Sequence, residues 1–163
     1  MIKIGVLSDS HIPDRAKELP AKLLEEFRNA DMVIHAGDMV DPSVHKALLE
    51  VCKDVRAVSG NMDPSQIKDV FPVRQIIKAG KFTIGLVHGW GPPNRLLDVV
   101  KEEFKSEKPD IVIFGHSHQA LNHKDGRTIY FNPGSPTDNV FAPYKSFGII
   151  ELDDTIKARI IKL

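Results

Sequence analysis

The stretch that most constrains the fold is residues 111–118, Ile-Val-Ile-Phe-Gly-His-Ser-His. Four consecutive apolar residues, three of them β-branched, are typical of a short strand buried on both faces. Gly115 ends this strand, and His116 and His118 follow it. Because open α/β folds bind their ligands at the carboxyl ends of strands, the loop is a candidate functional site. Taken alone, this pair is equally consistent with metal ligands and with two solvent-facing histidines. The choice depends on whether other strands also end in residues that can bind a metal.

Length and charge exclude several classes of protein. The 163 residues predict a single domain over residues 1–163, long enough to bury a sizeable core. Lys+Arg 22 against Asp+Glu 22 leaves no formal net charge, so no broad nucleic-acid-binding surface is expected. The single cysteine, Cys52, excludes an internal disulfide, fits a reducing compartment and is predicted to be a small buried hydrophobe. The N-terminal residues indicate a strand and not a signal peptide, and no segment reaches transmembrane length, so a soluble, cytoplasmic protein without membrane association is predicted.

Apolar runs predict ten strands, with helices between the early ones. The strands are predicted at residues 2–7, 32–36, 55–58, 73–77, 82–87, 111–114, 120–123, 128–131, 146–152 and 156–161, and the helices at 20–29, 42–51 and 93–105. Asp41 is predicted to cap the second helix, with Pro42 at its first position. Later strands come as hairpins, one of them turning at Asp125-Gly126. This mixture predicts an α/β protein with two mixed sheets face to face and helices outside, not one doubly wound sheet.

Side chains that can bind a metal follow several of these strands. Each occurrence alone has an ordinary explanation, such as an Asx turn for an Asp-x-His sequence or a simple turn for Gly-Asp and Gly-Asn. Ordinary surface residues, however, have no reason to gather at the same edge of successive strands. Their joint placement therefore predicts a metal site. The predicted ligands are Asp9, His11, Asp38, Asn61, His88, His116 and His118.

Seven ligands exceed the needs of one tetrahedral ion and suit two divalent ions bridged by a carboxylate. Imidazole and oxygen donors without a thiolate suit Mn²⁺, Fe²⁺, Zn²⁺ or Ni²⁺, and the donor types do not choose among these ions. Mn²⁺ is the ion we expect first. His35 lies inside its strand, before the glycine, and is predicted to be packed or to support a ligand. His45 and His123 are predicted to be solvated.

Nothing in the sequence identifies a pocket for a nucleotide base, so the sequence leaves the substrate open. Four scattered basic residues could contact phosphate or be solvated surface charges: Arg15, Lys17, Arg95 and Lys145. The oligomeric state is equally open, a homo-oligomer being one option.

Taken in order, the strand-end motifs resemble those of the calcineurin-like metallophosphoesterases. They are Asp9-x-His11, Gly37-Asp38, Gly60-Asn61, His88-Gly89 and Gly115-His116-x-His118. The short length and residues 60–63 and 132–135 are similar to the small prokaryotic phosphodiesterase branch of that family. The match ends at Ser135 and leaves only the closing strand pair without a motif. The resemblance implies a four-layer α/β/β/α sandwich of two mixed β-sheets flanked by helices.

The same resemblance implies a ligand set and a reaction. One ion would be held by Asp9, His11, Asp38 and His118, and the other by Asp38, Asn61, His88 and His116, with Asp38 bridging. Two ions on the order of 3.5–4 Å apart would acidify a bridging water. The expected activity is therefore hydrolysis of a small phosphoester, most specifically a phosphodiester, with a metal-bridging hydroxide as nucleophile.

Met62 departs from the family pattern. In many members of the wider family the residue after the asparagine is a histidine that protonates the leaving group, and methionine has no proton to donate. Good leaving groups, or a proton from substrate or water, are therefore expected. A retromer coat subunit on the same fold also lacks this histidine, so a non-catalytic protein-binding scaffold is the alternative function. Retention of all seven ligands favours the enzyme, and the absence of a Gly-x-Gly-x-x-Gly turn or P-loop disfavours a flavodoxin-like nucleotide binder.

Overall fold

A computed structural model describes residues 1–163, in ten strands and four α-helices. The strands are β1 (Ile2–Leu7), β2 (Met32–His35), β3 (Val55–Ala57), β4 (Arg74–Ala79), β5 (Phe82–Val87), β6 (Ile111–Ile113), β7 (Leu121–Asp125), β8 (Thr128–Asn132), β9 (Ser146–Leu152) and β10 (Ile156–Lys162). The helices are α1 (Ala21–Phe27), α2 (Pro42–Val51), α3 (Ser65–Lys68) and α4 (Leu96–Glu103). All ten strands were predicted, with ends that differ by at most two residues.

The strands form two mixed sheets of five strands each. In the first sheet the order is β10-β9-β1-β2-β3, and in the second it is β4-β5-β6-β8-β7. Each sheet has a parallel centre: β1 pairs with β2 in the register Ile4 to Met32, and β5 pairs with β6 in the register Ile84 to Ile111. Antiparallel pairs such as β9 with β10 complete the edges. The predicted mixture of parallel and antiparallel strands is confirmed.

Three buried clusters hold four layers together. The largest contains side chains of both sheets, among them Val6 of β1 and Leu86 of β5, and therefore fills the space between the sheets. A second cluster packs α1 and α2 onto the outer face of the first sheet, and a third packs α4 onto the second sheet through Val100. Fully burying each such side chain stabilises the fold by about 1.5–3 kcal/mol. The predicted α/β/β/α sandwich is confirmed.

The helix ends show where local sequence rules held and where they did not. Asp41 accepts the Ser43 amide hydrogen at 2.8 Å and caps α2, as predicted. The helix expected at residues 93–105 is instead a 3₁₀ turn, Pro93–Arg95, followed by α4, because the Arg95 amide bonds back to the Pro92 carbonyl, three residues away. Helix α3 was not predicted, since four residues show no helical periodicity.

Cys52 and His45 differ in how far they are buried. Cys52 is buried, as predicted. His45 is not simply solvated: its ring is half-buried and meets the Phe71 ring edge-on at a centroid distance of 5.0 Å.

No helix could span a membrane; the longest, α2, has ten residues, against roughly 20 for a typical spanning helix.

Glycines in the central strands let aromatic rings from the helical layers sit directly on the sheets. A Cβ added to Gly5 of β1 would lie 2.4 Å from the Phe27 ring, and one added to Gly85 of β5 would lie 2.8 Å from the Phe104 ring. Phe27 and Phe104 are both buried, at the ends of α1 and α4. The same device therefore anchors a helix to each sheet.

We expect Gly5→Ala to destabilise the protein by about 1–3 kcal/mol, because the added methyl group would overlap the Phe27 ring in a packed layer. Chemical denaturation of Gly5→Ala, Phe27→Leu and the double variant would measure the coupling. The smaller leucine should relieve most of the overlap. The double variant should therefore lose less free energy of unfolding than the sum of the losses in the two single variants. Simple additivity would contradict this explanation of Gly5.

Candidate metal centre

The structure brings all seven predicted ligands to one edge of the sandwich. Asp9 and His11 follow β1, Asp38 follows β2, Asn61 follows β3, His88 follows β5, and His116 and His118 follow β6. The strands β1, β2 and β3 are parallel in one sheet, and β5 and β6 are parallel in the other. Their carboxyl ends therefore present side chains from both sheets to one common space.

The two carboxylates are buried and arranged alike. Asp9 and Asp38 are 0 % and 2 % exposed. Asp9 Oδ2 accepts hydrogen bonds from the Ser8 hydroxyl at 2.7 Å and the His116 amide at 3.0 Å, and Asp38 Oδ1 accepts one from the Met62 amide at 2.8 Å. One oxygen of each carboxylate is thus held by the protein, which leaves Asp9 Oδ1 and Asp38 Oδ2 to face the imidazoles.

Three of the imidazoles are anchored through one ring nitrogen to a protein acceptor. His88 Nδ1 lies 2.7 Å from the Ala36 carbonyl oxygen, His116 Nε2 lies 2.9 Å from the Gly91 carbonyl oxygen, and His118 Nδ1 lies 2.6 Å from Asp138 Oδ2. Because these oxygens can only accept, each anchored nitrogen carries the hydrogen. The opposite nitrogen can then present a lone pair to a metal.

The opposite nitrogens point into the shared space. His88 Nε2 lies 3.1 Å from Asp38 Oδ2 and 3.7 Å from Asp9 Oδ1, and His118 Nε2 lies 3.4 Å from Asp9 Oδ1. Asn61 Oδ1 lies 3.1 Å from the same His88 nitrogen. His116 joins the group through Nδ1, which lies 3.3 Å from that amide oxygen.

Two polar atoms that face this space have no hydrogen-bond partner in the protein. Asp9 Oδ1 and His11 Nε2 are buried without a hydrogen-bond partner, 3.8 Å apart, and the His11 nitrogen lies 3.5 Å from Asp38 Oδ2. A buried polar atom without a partner costs about 1–3 kcal/mol. A divalent cation would satisfy both atoms. Asp9, His11 and His118, and likewise Asp9, Asp38 and His88, offer donor atoms within 4.8 Å of one another, so the donor set fits divalent metal binding.

The charges of the centre reinforce one another. Burial acts to raise the pKa of Asp9, but the charge of His88 and contacts with His11 and His118 outweigh it and lower that pKa below its ordinary value. Burial also opposes ionisation of Asp38, and His88 again outweighs it and lowers the Asp38 pKa. For His88, burial acts to lower the pKa, but the two carboxylates raise it to about 9. The carboxylates are therefore ionised and ready to bind a cation.

Most of the predicted ligands adopt a strained backbone conformation. Five of them have φ in the left-handed region: Asp9 at 55°, His11 at 41°, Asp38 at 58°, His116 at 72° and His118 at 59°. Such a conformation costs on the order of 1–3 kcal/mol for a residue with a side chain and clusters at functional sites. The loops after β1 and β2 hold each other in place, since the amides of Asp9 and His11 bond to the carbonyls of Gly37 and Asp38.

Glycine is required at position 115, before His116, for a steric reason. A Cβ on Gly115 would lie 1.9 Å from Ser8 Oγ and 2.6 Å from Asp9 Oδ2. Only a residue without a side chain therefore lets the loop after β6 reach the loop after β1. A Cβ on Gly60 would likewise lie 2.1 Å from Asp38 Oδ1.

His35 supports the centre from below, as predicted. It is fully buried, with Nε2 at 2.8 Å from the Ser10 hydroxyl oxygen and Nδ1 accepting the Gly37 amide hydrogen at 3.1 Å. Burial lowers its pKa to about 3, so the ring is neutral. The ring joins the loops after β1 and β2 without facing the metal space. His123 is exposed, also as predicted.

Two buried carboxylates that support the centre were missed. Asp138 holds His118 through the 2.6 Å contact described above, and Asp63 accepts the amide hydrogens of Asp38 at 2.9 Å, Val40 at 2.7 Å and Gly60 at 2.7 Å. Burial opposes ionisation of Asp138, but amide hydrogen bonds and His118 lower its pKa to about 2. Neither residue follows a strand directly, so the strand-end rule did not find them.

A cavity of about 400 Å³ opens onto the centre. Predicted ligands form part of its wall, and Arg15, Met62 and Phe141 are among the other lining residues. Met62 is 60 % exposed. The cavity is large enough for a small molecule.

The fold and the donor set together define a metal-binding α/β/β/α protein of the phosphoesterase type. Residues 2–155 match the model of the calcineurin-like phosphoesterase superfamily domain, and the chain belongs to this family. A probable metallophosphoesterase of Methanocaldococcus jannaschii is 35 % identical over 98 % of this chain and 81 % of its own length.

Two solved structures show the range of proteins built on this fold. An archaeal phosphodiesterase superposes with a TM-score of 0.79 at 25 % identity, covering 99 % of this chain and 100 % of its own. Wild-type Vps29 of Entamoeba histolytica, complexed with Zn²⁺, superposes with a TM-score of 0.76 at 25 % identity over 99 % of each chain.

We expect Asp138→Asn to weaken metal binding about 10- to 100-fold, because the amide offers an NH₂ group where the His118 N–H needs an acceptor. Calorimetric titration with Mn²⁺ or Zn²⁺ measures the loss, and ¹⁵N chemical shifts of His118 report the change of tautomer. Asp14→Asn, which alters an exposed carboxylate of the same cavity, is the matched control. Unchanged affinity in Asp138→Asn would contradict this role.

Metal affinity should rise with pH up to about 9. Below its pKa of about 9, His88 carries a proton that must leave before the ring nitrogen can bind metal. One released proton corresponds to about a tenfold gain in affinity per pH unit. Titrations between pH 7 and 9 measure this slope, which His123→Asn should preserve and His88→Asn should reduce. A flat profile would show that His88 is not in competition with protons.

Proposed function

We propose that this chain is a phosphodiesterase that uses two divalent metal ions, Mn²⁺ first among the candidates. Membership of the phosphoesterase family supports hydrolysis of a phosphoester. The observation that carries the finer proposal is the pair of buried, unpartnered atoms Asp9 Oδ1 and His11 Nε2, surrounded by further predicted ligands. The number of donors, seven on two sheets, supports two ions and not one.

The ligand assignment is the one that the family resemblance implies, and the donor contacts support it. We assign Asp9, His11, Asp38 and His118 to one ion, and Asp38, Asn61, His88 and His116 to the other. Asp38 Oδ2 supports its assignment as the bridge, since it lies 3.5 Å from His11 Nε2 and 3.1 Å from His88 Nε2. Asp9 Oδ1 also approaches imidazoles of both groups, so a comparison of the two carboxylates is the decisive test.

When bound, the ions would supply Lewis acidity for the phosphoryl oxygens and acidify the attacking water. Several residues of the chain hold the predicted ligands in position. Ser8 and the His116 amide hold the Asp9 carboxylate, while Asp138 and Asp63 hold His118 and the Asp38 loop. No serine or cysteine nucleophile is needed, and Met62 at the cavity wall gives no proton to the leaving group.

A non-catalytic scaffold is the second candidate function. The similarity to Vps29 over 99 % of the chain favours it. The same comparison also places a protein with bound Zn²⁺ among the structural neighbours, so metal binding alone does not separate the two functions. Hydrolysis does.

Asp38→Ala should lower the metal content from two ions per chain to less than one, whereas Asp9→Ala should retain about one ion. Elemental analysis of the purified proteins measures this, and hydrolysis of bis(p-nitrophenyl) phosphate with Mn²⁺, Fe²⁺, Zn²⁺ or Ni²⁺ measures activity. The exposed Asp154 provides the control variant Asp154→Ala.

Activity should vanish with a chelator and return with added metal. Full activity with one ion per chain would disprove the two-ion model. Metal-loaded protein that hydrolyses neither phosphomonoesters nor phosphodiesters would support the scaffold instead.

A further inference from the structure

Arg15 is the only lysine or arginine that lines the cavity of the metal centre. Its Nε lies 3.7 Å from Asp138 Oδ1, and its guanidinium lies over the Phe141 ring, 5.5 Å from the centroid. The contact between Arg15 and Asp138 is an ion pair that is too long for a hydrogen bond. The N–H groups of Arg15 are therefore free to bind a ligand. Lys17 and Arg95, which the sequence could not distinguish from Arg15, lie outside this cavity wall.

The anchor of Arg15 is itself fixed. Asp138 is fully buried, and its Oδ1 accepts the Val140 amide hydrogen at 2.8 Å. Oδ2 accepts the amide hydrogens of Phe141 at 3.0 Å and Ala142 at 3.1 Å, besides its contact with His118. The same carboxylate therefore orients a predicted metal ligand, the loop that carries Phe141, and the guanidinium. An arginine oriented in this way is suited to the oxygens of a phosphate.

The cavity wall offers no group that would protonate a leaving group. Outside the predicted ligands it contains the polar side chains of Asp14, Arg15, Ser117 and Gln119. An arginine keeps its proton, serine and glutamine are poor acids, and Asp14 is an exposed carboxylate that accepts hydrogen bonds. A leaving group must therefore depart as an anion that is stable without a proton from the protein.

We propose, resting on the phosphoesterase function proposed above, that Arg15 binds a second phosphate group of the substrate and that this phosphate is the leaving group. The preferred substrates are then phosphoanhydrides of the nucleoside diphosphate class, not simple dialkyl phosphates. A phosphate departs readily as an anion, and its charge is opposite to that of the Arg15 guanidinium.

The reaction balances without any further reactant. The oxygen of water forms a bond to the phosphorus held at the metal centre, and the bond from that phosphorus to the bridging oxygen breaks. The electron pair of the broken bond stays on the bridging oxygen, which leaves with the second phosphate beside Arg15. Of the two protons of the water, one ends on a product phosphate and the other passes to solvent.

Equilibrium binding tests the site without turnover. We expect metal-loaded protein to bind methylenediphosphonate more tightly than methylphosphonate by about 10- to 100-fold, the worth of a hydrogen bond to a charged group. Arg15→Gln should abolish this preference, and Arg15→Lys should keep part of it, because lysine retains the charge without the planar fork. Arg95→Gln is the matched control outside the cavity. Equal affinities for the two phosphonates in the parent protein would overturn the proposal.

Turnover tests the assignment of the leaving group. At equal metal content, Arg15→Gln should lower kcat/KM for adenosine diphosphate about 10- to 100-fold more than it lowers kcat/KM for bis(p-nitrophenyl) phosphate. An equal loss on both substrates would show that Arg15 acts on the phosphoryl group common to them, and would overturn the assignment.

The two proposals fail in different ways. Hydrolysis of bis(p-nitrophenyl) phosphate without any preference for the diphosphonate refutes the role of Arg15 and leaves the phosphoesterase function intact. Hydrolysis of neither substrate by protein that carries two ions refutes the phosphoesterase function itself.

Discussion

The arrangement of this protein depends on two carboxylates that are buried in the same place. Asp9 and Asp38 lie 3.7 and 3.1 Å from the same imidazole nitrogen of His88. Buried charges are costly unless they are paired and hydrogen-bonded, and two like charges repel as well. The protein compensates with amide and hydroxyl donors on the outer oxygens and imidazoles on the inner ones. What this compensation leaves unsatisfied is one oxygen and one nitrogen, the atoms that a cation would bind.

The sequence predicted most of this centre because parallel strands bring their carboxyl ends together. Asp38 could be placed at this edge of the sheet from little more than a glycine and an aspartate, since its position after a buried strand repeats that of Asp9. The same rule correctly set His35 apart, inside β2 and below the ligands. The two mixed sheets followed from the change from helix-linked strands to hairpins, and the four layers followed from the family resemblance.

The remainder could not be predicted because it depends on contacts between distant loops. Asp138 meets His118 across 20 residues of sequence, and Asp63 meets the Asp38 amide across 25. Neither side chain follows a strand, so no local pattern marks it. The left-handed backbone of His116 is equally hidden, because no local pattern shows that Gly115 before it closely approaches Ser8, in the loop after β1. Arg15 could be separated from the other basic residues only when the cavity was known.

The position of the centre between two sheets links metal binding to folding. His11 belongs to the loop after β1 and His118 to the loop after β6. Elsewhere the sheets are joined by an apolar core and by two side-chain hydrogen bonds, from Gln75 to the Ala57 carbonyl and from Asn122 to the Ala158 carbonyl. An ion bound by both loops would cross-link the halves of the sandwich. At a free concentration about 1,000 times its dissociation constant it would add about 4.1 kcal/mol to the free energy of unfolding. The stability of such a fold would therefore depend on the metal supply around it, and a bound ion would be a structural part of the protein as well as a participant in the proposed reaction.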